Sequence, residues 1–252
     1  MGVNSLQWYH IPSLGKVGEV VLLAGDEWHH CYHVMRLSTG DSIMLTDGKG
    51  SCMEGRIMKA TSNEGLIELT HDRHGDFRDH RRNKVSIGLA PTKNIDRTEF
   101  AVEKLVELGV DEISFLECNH AERNRLRMDR FEKIIVAASK QSRKIIFPKM
   151  VDLTTPLKYI RQKKYEQPST EILCCHLDAD SKPVFENYFP DKDVVLLIGP
   201  EGGFSHDEIE MMKGLNAKFV HLGPFGLRVE TAAIAACAQI HLINDMNNRS
   251  LK

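Results

Sequence analysis

Apolar and polar positions change their rhythm along the chain near residue 85. Before it, Glu19–Leu23 is a short β-branched run, Ser42–Thr46 and Ser51–Met58 alternate, and Gly65–Thr70 follows the polar turn Thr61-Ser62-Asn63-Glu64. Alternation of this kind marks half-buried strands. Asp47-Gly48-Lys49-Gly50 between two of the runs is a hairpin signal. Asp26–Leu37 has helical spacing instead. Short strands and tight turns over so few residues predict a small β-barrel up to about Thr70. The polar stretch His71–Lys84 holds almost nothing to bury and reads as a linker.

From Val85 strands and helices alternate. Val85–Ala90, Glu112–Leu116, Glu171–His176, Asp193–Ile198 and Phe219–Leu222 read as strands. Arg97–Leu108, with Gly109 closing it, and Asp129–Lys144, with Phe131, Ile134, Ile135 and Ala138 inward, read as helices. Ser205-His206-Asp207-Glu208 is a capping box opening a helix that ends near Gly214, and Thr231–Asn244 is the last helix. Tyr159–Thr170 is polar and aperiodic, and reads as a surface loop. The alternation predicts an α/β domain with a mainly parallel sheet. In the last helix Ala232, Ala233, Ala235, Ala236, Cys237 and Ala238 leave little bulk, so it is expected to pack closely on another element or a symmetry mate.

Two glycine-rich loops each follow a strand-like run: Ile198-Gly199-Pro200-Glu201-Gly202-Gly203-Phe204 and Leu222-Gly223-Pro224-Phe225-Gly226-Leu227-Arg228-Val229-Glu230-Thr231. Glycine lets a ligand approach the backbone and proline stiffens the turn beside it. In α/β sheets ligands sit at such strand ends. The loops carry no GxxxxGK[ST] and no GxGxxG, which excludes a Walker cradle and a Rossmann dinucleotide site. Arg228 beside the pocket is suited to hold RNA phosphate or to stabilise an anion developing on a base; a salt bridge to Glu230 that merely fixes the loop is an equal reading.

Composition narrows the chemistry further. The chain has 252 residues, 42% of them hydrophobic and 27% charged, with a net charge of −2. Its longest apolar stretches are too short to span a bilayer, and Met1–Tyr9 shows no secretory pattern. Six cysteines without a CxxC pair fit free thiols in a reducing cytoplasm. Cys174-Cys175-His176 ends an apolar strand and is read as core packing rather than a nucleophile with its base. His29 and His33 share a helical face but lack a third ligand, so no metal is expected. Between His120 and Lys144, eight basic residues face three acidic ones, a concentration able to track a phosphate backbone or to form a solvated helix face.

Taken together, Ile198–Ser205, Leu222-Gly223-Pro224 and Leu227–Ala232, with Glu103–Val110, Glu122-Arg123, Lys140–Arg143 and His30 through Gly40-Asp41, closely resemble the ribosomal RNA small-subunit methyltransferase E family, of the SPOUT superfamily. The resemblance covers most of the chain and departs at Phe225-Gly226, where relatives are expected to carry a basic residue and then an aliphatic one. It implies an N-terminal PUA-like β-barrel (1–72) for RNA binding and a SPOUT methyltransferase α/β domain (73–252) ending in a deep trefoil knot. It also implies methyl transfer from S-adenosylmethionine to N3 of one uridine in 16S rRNA, by a homodimer. Ile198, Gly199, Pro200, Glu201, Gly202, Gly203, Leu222, Gly223, Pro224, Leu227, Arg228, Thr231 and Ala232 would then hold the cofactor. Arg228 is the candidate charge stabiliser, with Glu230 or Glu201 as base. His30, Arg36, Lys93, Arg97, Lys104, Arg123 and Arg143 are candidate RNA contacts. The competing reading is a non-catalytic RNA-binding protein of ribosome assembly; methylation of tRNA on the same fold is a third.

Overall fold

A computed structural model describes residues 6–250 except 78, 80, 82, 124, 179, 180 and 191, with backbone alone at 248–250. The chain forms two compact units. One is Met1–His80 with Val136–Phe147, the other Arg81–Ile135 with Pro148–Lys252.

In the first unit β1 (Trp8–His10), β2 (Val20–Ala24), β3 (Ser42–Thr46), β4 (Cys52–Ala60) and β5 (Glu64–Asp72) make one five-stranded sheet in the order β1-β3-β4-β5-β2. The β3–β4 hairpin stands where Asp47-Gly48 predicts it. Asp47 Oδ1 accepts from the N–H groups of Lys49 at 2.8 Å and Ser51 at 2.9 Å, and Gly48 takes a φ of 70°. Helix α1 (Gly25–His29) runs on into a π-helical turn, His30–Val34, so the helical spacing read over Asp26–Leu37 is met as far as Val34. It drives Trp28 into a core with Tyr9, Leu23, Ile43, Leu45, Ile57, Ile67 and Leu69. Register shifts between β4 and β5 bend the sheet around that core.

Val136–Phe147 joins this unit through backbone and packing alike, an association that pattern along the chain does not show. Phe147 N–H donates to Gly48 at 2.8 Å, Gly50 N–H donates to Ile145 at 2.9 Å, and Ile145 packs with Trp8, Met44 and Cys52. The stretch read as a linker is partly structured: β5 extends to Asp72, and Phe77 of the 3-10 turn His74–Phe77 meets Trp8 edge-on, centroids 4.7 Å apart. Its residues 78, 80 and 82 lie outside the described set.

The second unit contains β6 (Val85–Leu89), α2 (Ile95–Leu108), β7 (Glu112–Leu116), α3 (Met128–Gln141), β8 (Lys149–Thr154), α4 (Pro156–Glu166), β9 (Glu171–Cys175), β10 (Lys182–Pro183), α5 (Val184–Asn187), β11 (Val194–Ile198), α6 (His206–Gly214), β12 (Lys218–His221) and α7 (Val229–Ser250); α3 passes into the first unit at Val136. Its seven-stranded sheet is ordered β10-β12-β9-β11-β6-β7-β8, with every pair parallel. Strands β6, β7 and β11 are buried throughout, as both-sided coverage demands. Val195 and Leu197 pack with Tyr159 and Ile160 of α4 and Met212 of α6. The alternate residues Val194, Leu196 and Ile198 therefore point to the opposite face, where α7 packs on β11 and β6.

Helix α2 ends as predicted, with Gly109 at a φ of 96°. Helix α7 buries Ala233, Ala236, Cys237 and Ile240 and packs on α2, so its small side chains find an element of the same chain. Further along α7, Asn244 joins Asn83 and Tyr188 in a buried hydrogen-bonded ring, with links of 2.8, 2.9 and 3.2 Å.

A second expectation is corrected. Tyr159–Thr170 is not a surface loop but mostly α4, with only Gln167–Thr170 as the turn into β9. Thr155 caps the helix, Pro156 sits in its first turn, and Tyr159 and Ile160 are buried. Lys163 escapes the apolar pattern because its ammonium meets the buried Glu112 carboxylate at 2.8 Å, beside the Tyr159 hydroxyl at 2.9 Å. A polar residue turned inward toward a charge reads as aperiodic when only hydrophobicity is followed.

Candidate active site

Adjacent parallel strands β11, β9 and β12 end together, and the loops leaving them enclose a cavity of about 410 Å³. That lies within the range of small-ligand and cofactor sites.

The loop after β11 is braced on several sides. Gly203 N–H donates to Pro200 at 2.8 Å, and Gly203 takes a φ of 71°. A Cβ on Gly199 would stand 3.0 Å from the Phe204 ring, and one on Gly202 would stand 3.2 Å from His120. His120 Nδ1 lies 3.2 and 3.1 Å from the carbonyls of Gly202 and Gly203; carbonyls only accept, so this nitrogen carries the proton. Glu201 Oε1 accepts from Lys93 N–H at 3.3 Å. The predicted capping box closes the loop: Ser205 accepts from Glu208 N–H, and Glu208 accepts from Ser205 N–H at 2.8 Å and from Asn119 N–H at 2.9 Å.

The loop after β12 stands more open. Gly223 has a φ of 146° with nothing near a would-be Cβ, and Gly226 is equally unobstructed. Leu222 accepts from Gln239 at 3.1 Å, and the Arg228 carbonyl accepts from Ala232 N–H at 2.8 Å as α7 begins. Phe225, Leu227 and Arg228 are exposed.

The third wall, Cys175-His176-Leu177, was missed by sequence reading. His176 N–H donates to Val220 at 2.9 Å, and His176 Nε2 lies 3.4 Å from Asp178. Burial pushes the Cys175 thiol up to about 12, so it is protonated at neutral pH and no nucleophile. His221 also lines the cavity, and its Nδ1 is buried without a hydrogen-bond partner.

Of the predicted cofactor residues, Ile198, Gly199, Pro200, Glu201, Gly203, Leu222, Gly223, Leu227, Arg228 and Ala232 line this cavity; Gly202, Pro224 and Thr231 lie outside its lining. Glu230 is not held by Arg228. Its Oε1 lies 3.8 Å from Arg97 Nε, while its Oε2 is buried without a partner. Among the RNA candidates, Lys93 pairs with Glu122 at 2.9 Å, Lys104 with Glu103 and Glu107, and Arg123 donates to the Lys93 carbonyl at 2.8 Å. His30 and Arg36 are exposed in the first unit, where Arg143 also lies. The basic strip is partly neutralised, since Arg127 meets Asp129 at 3.0 Å and Arg130 meets Glu99 at 2.6 Å.

A family model for an RNA methyltransferase domain matches residues 79–241, and one for an RNA methyltransferase PUA domain matches residues 23–70. Fold, site and both matches define an RNA methyltransferase. Within that class the chain belongs to the ribosomal RNA small subunit methyltransferase E family. A member from Mesomycoplasma hyopneumoniae is 30% identical over 183 residues, covering 71% of this chain and 77% of that protein. A crystal structure of a probable rRNA-methyltransferase from Porphyromonas gingivalis is 32% identical with a TM-score of 0.86, over 96% of this chain and all of that one. The family member from Neisseria gonorrhoeae, solved bound to S-adenosyl methionine, shares the fold at 24% identity and a TM-score of 0.84, covering 94% and 98%. Among the described residues, no helix is long and apolar enough to cross a membrane, and no group of three or more His, Cys, Asp or Glu side chains is placed to hold a metal ion.

Proposed function

We propose that this chain transfers a methyl group from S-adenosylmethionine to N3 of a specific uridine in 16S rRNA of the small ribosomal subunit. The observation that carries the reading is the cavity at three neighbouring strand ends. Its walls fit the cofactor: main-chain N–H and C=O groups at close-approach glycines, apolar Ile198, Leu222 and Val229, and the unpartnered His221 Nδ1.

The cofactor, when bound, supplies an electrophilic methyl on a sulfonium. What remains falls to the chain. Uridine N3 is part of the pairing edge and bears a weakly acidic proton, so the base must enter unpaired and lose that proton. Arg228, exposed at the cavity, offers a guanidinium to the negative charge that grows on N3 and its flanking carbonyls. Glu230 keeps a carboxylate oxygen without a partner, the acceptor capacity a base requires. Glu201 lines the cavity but already accepts from Lys93.

The division of labour follows: residues 1–72 bind RNA as a PUA-like barrel, and residues 73–252 carry the transfer. His30, Arg36, Lys93, Arg97, Lys104, Arg123 and Arg143 are the proposed RNA contacts. From β12, at one side of the sheet, the chain returns along α7 to pack on α2, β11 and β6, a path that supports a threaded, knotted end. Leu242 and Met246 stay exposed on α7, which supports a homodimer through that helix; the cytoplasm, where ribosomes assemble, is its place of work. Small subunits lacking the modification, and naked rRNA, incubated with protein and S-adenosylmethionine, should yield N3-methyluridine on nucleoside mass spectrometry. Product at another atom overturns the assignment. No transfer together with no cofactor binding by calorimetry leaves the non-catalytic reading.

A further inference from the structure

The first unit has a cavity of its own, about 540 Å³, which methyl transfer does not use. Gln7 and Trp8 form one wall, His30 another, and Lys140, Gln141 and Arg143 at the end of α3 a third.

Three observations point to a polar ligand. Trp8 is 7% exposed, yet its Nε1–H has no acceptor. Buried indole N–H groups ordinarily find one, and leaving such a donor unmet costs stability. Arg143 has a φ of 58°. Around it, Arg143 N–H donates to Lys140 at 3.1 Å and Lys144 N–H donates to Ser139 at 2.8 Å, the five-residue span of a Schellman ending. Glycine usually fills that left-handed position, and an arginine there carries a backbone strain that glycine would escape. What the strain retains is a guanidinium at the cavity wall. Finally, the remaining groups are mixed in kind. Gln7 and Gln141 each offer donor and acceptor together, His30 adds an imidazole, and the Lys140 ammonium meets Glu27 at 2.5 Å.

We propose that this cavity takes one unpaired nucleotide of the substrate RNA, separate from the uridine that is methylated. Amides and the indole N–H read a base edge, while Arg143 and Lys140 face phosphate. The volume suits one nucleotide and is far too small for a duplex. The proposal rests on the rRNA reading above.

The test compares Trp8→Phe, Gln141→Ala and Arg143→Gly with the wild type. It measures affinity for single-stranded small-subunit rRNA fragments by anisotropy, KM for unmodified subunits, cofactor affinity by calorimetry, and Tm. Each variant should weaken RNA binding and raise KM by about tenfold, with cofactor affinity unchanged. RNA affinity within about twofold of wild type in Trp8→Phe and Arg143→Gly overturns the proposal. Uridine and adenosine monophosphates are added as competitors. Displacement of RNA by them at micromolar concentration overturns the RNA-linked nucleotide in favour of a free one. If the wild type binds RNA but transfers no methyl group, the proposed activity fails and the cavity stands; if it methylates while the variants match it, the cavity fails alone.

Discussion

In the loop after β11, Phe204 covers Gly199, His120 covers Gly202 and holds two carbonyls, and a reciprocal cap locks the exit into α6. In the loop after β12, Gly223 and Gly226 face open space and Phe225 is 79% exposed. Similar glycine-proline sequences thus make a fixed wall and an open flap. The fixed wall suits a cofactor that must be held in one pose. The open flap carries Arg228, the group proposed to meet the RNA substrate.

The greatest expected effect comes from invading the fixed wall. Gly203→Val combines a left-handed backbone with a side chain at the cavity surface, and should lower cofactor affinity by about a hundredfold or more, read by calorimetry. Gly199→Ala places a methyl 3.0 Å from the Phe204 ring and should cost about 1–3 kcal/mol in denaturant unfolding, part of it regained in Gly199→Ala/Phe204→Leu. Gly223→Ala meets no neighbour but takes a conformation that L side chains rarely adopt, so about 1 kcal/mol is expected. Gly226→Ala has neither problem and should stay within about 0.5 kcal/mol. A cost at Gly226 matching that at Gly199 would break the contrast between the loops.

Both loops were legible because glycine and proline punctuate apolar runs, and the capping box was legible as four consecutive residues. The third wall was not. His176 and Leu177 carry no glycine signature; they reach the cavity only because β9 lies between β11 and β12, an adjacency set by the whole sheet. The bracing of Gly202 by His120 spans 82 residues and is equally invisible in sequence. Strand β8 escaped notice because it is an edge strand whose residues are only partly buried, and β1 because it has three residues. For Arg228 and Glu230, proximity in sequence offered a salt bridge, but the fold turned Glu230 toward Arg97.

The central claim is that the fixed wall binds cofactor while Arg228 serves the RNA base. Calorimetry of S-adenosylmethionine on wild type and Arg228→Ala, paired with methyl transfer to unmodified small subunits, tests it most directly. Affinities within about twofold and a turnover reduced about a hundredfold or more are predicted. Loss of affinity in proportion to turnover would contradict it and make Arg228 part of the cofactor wall.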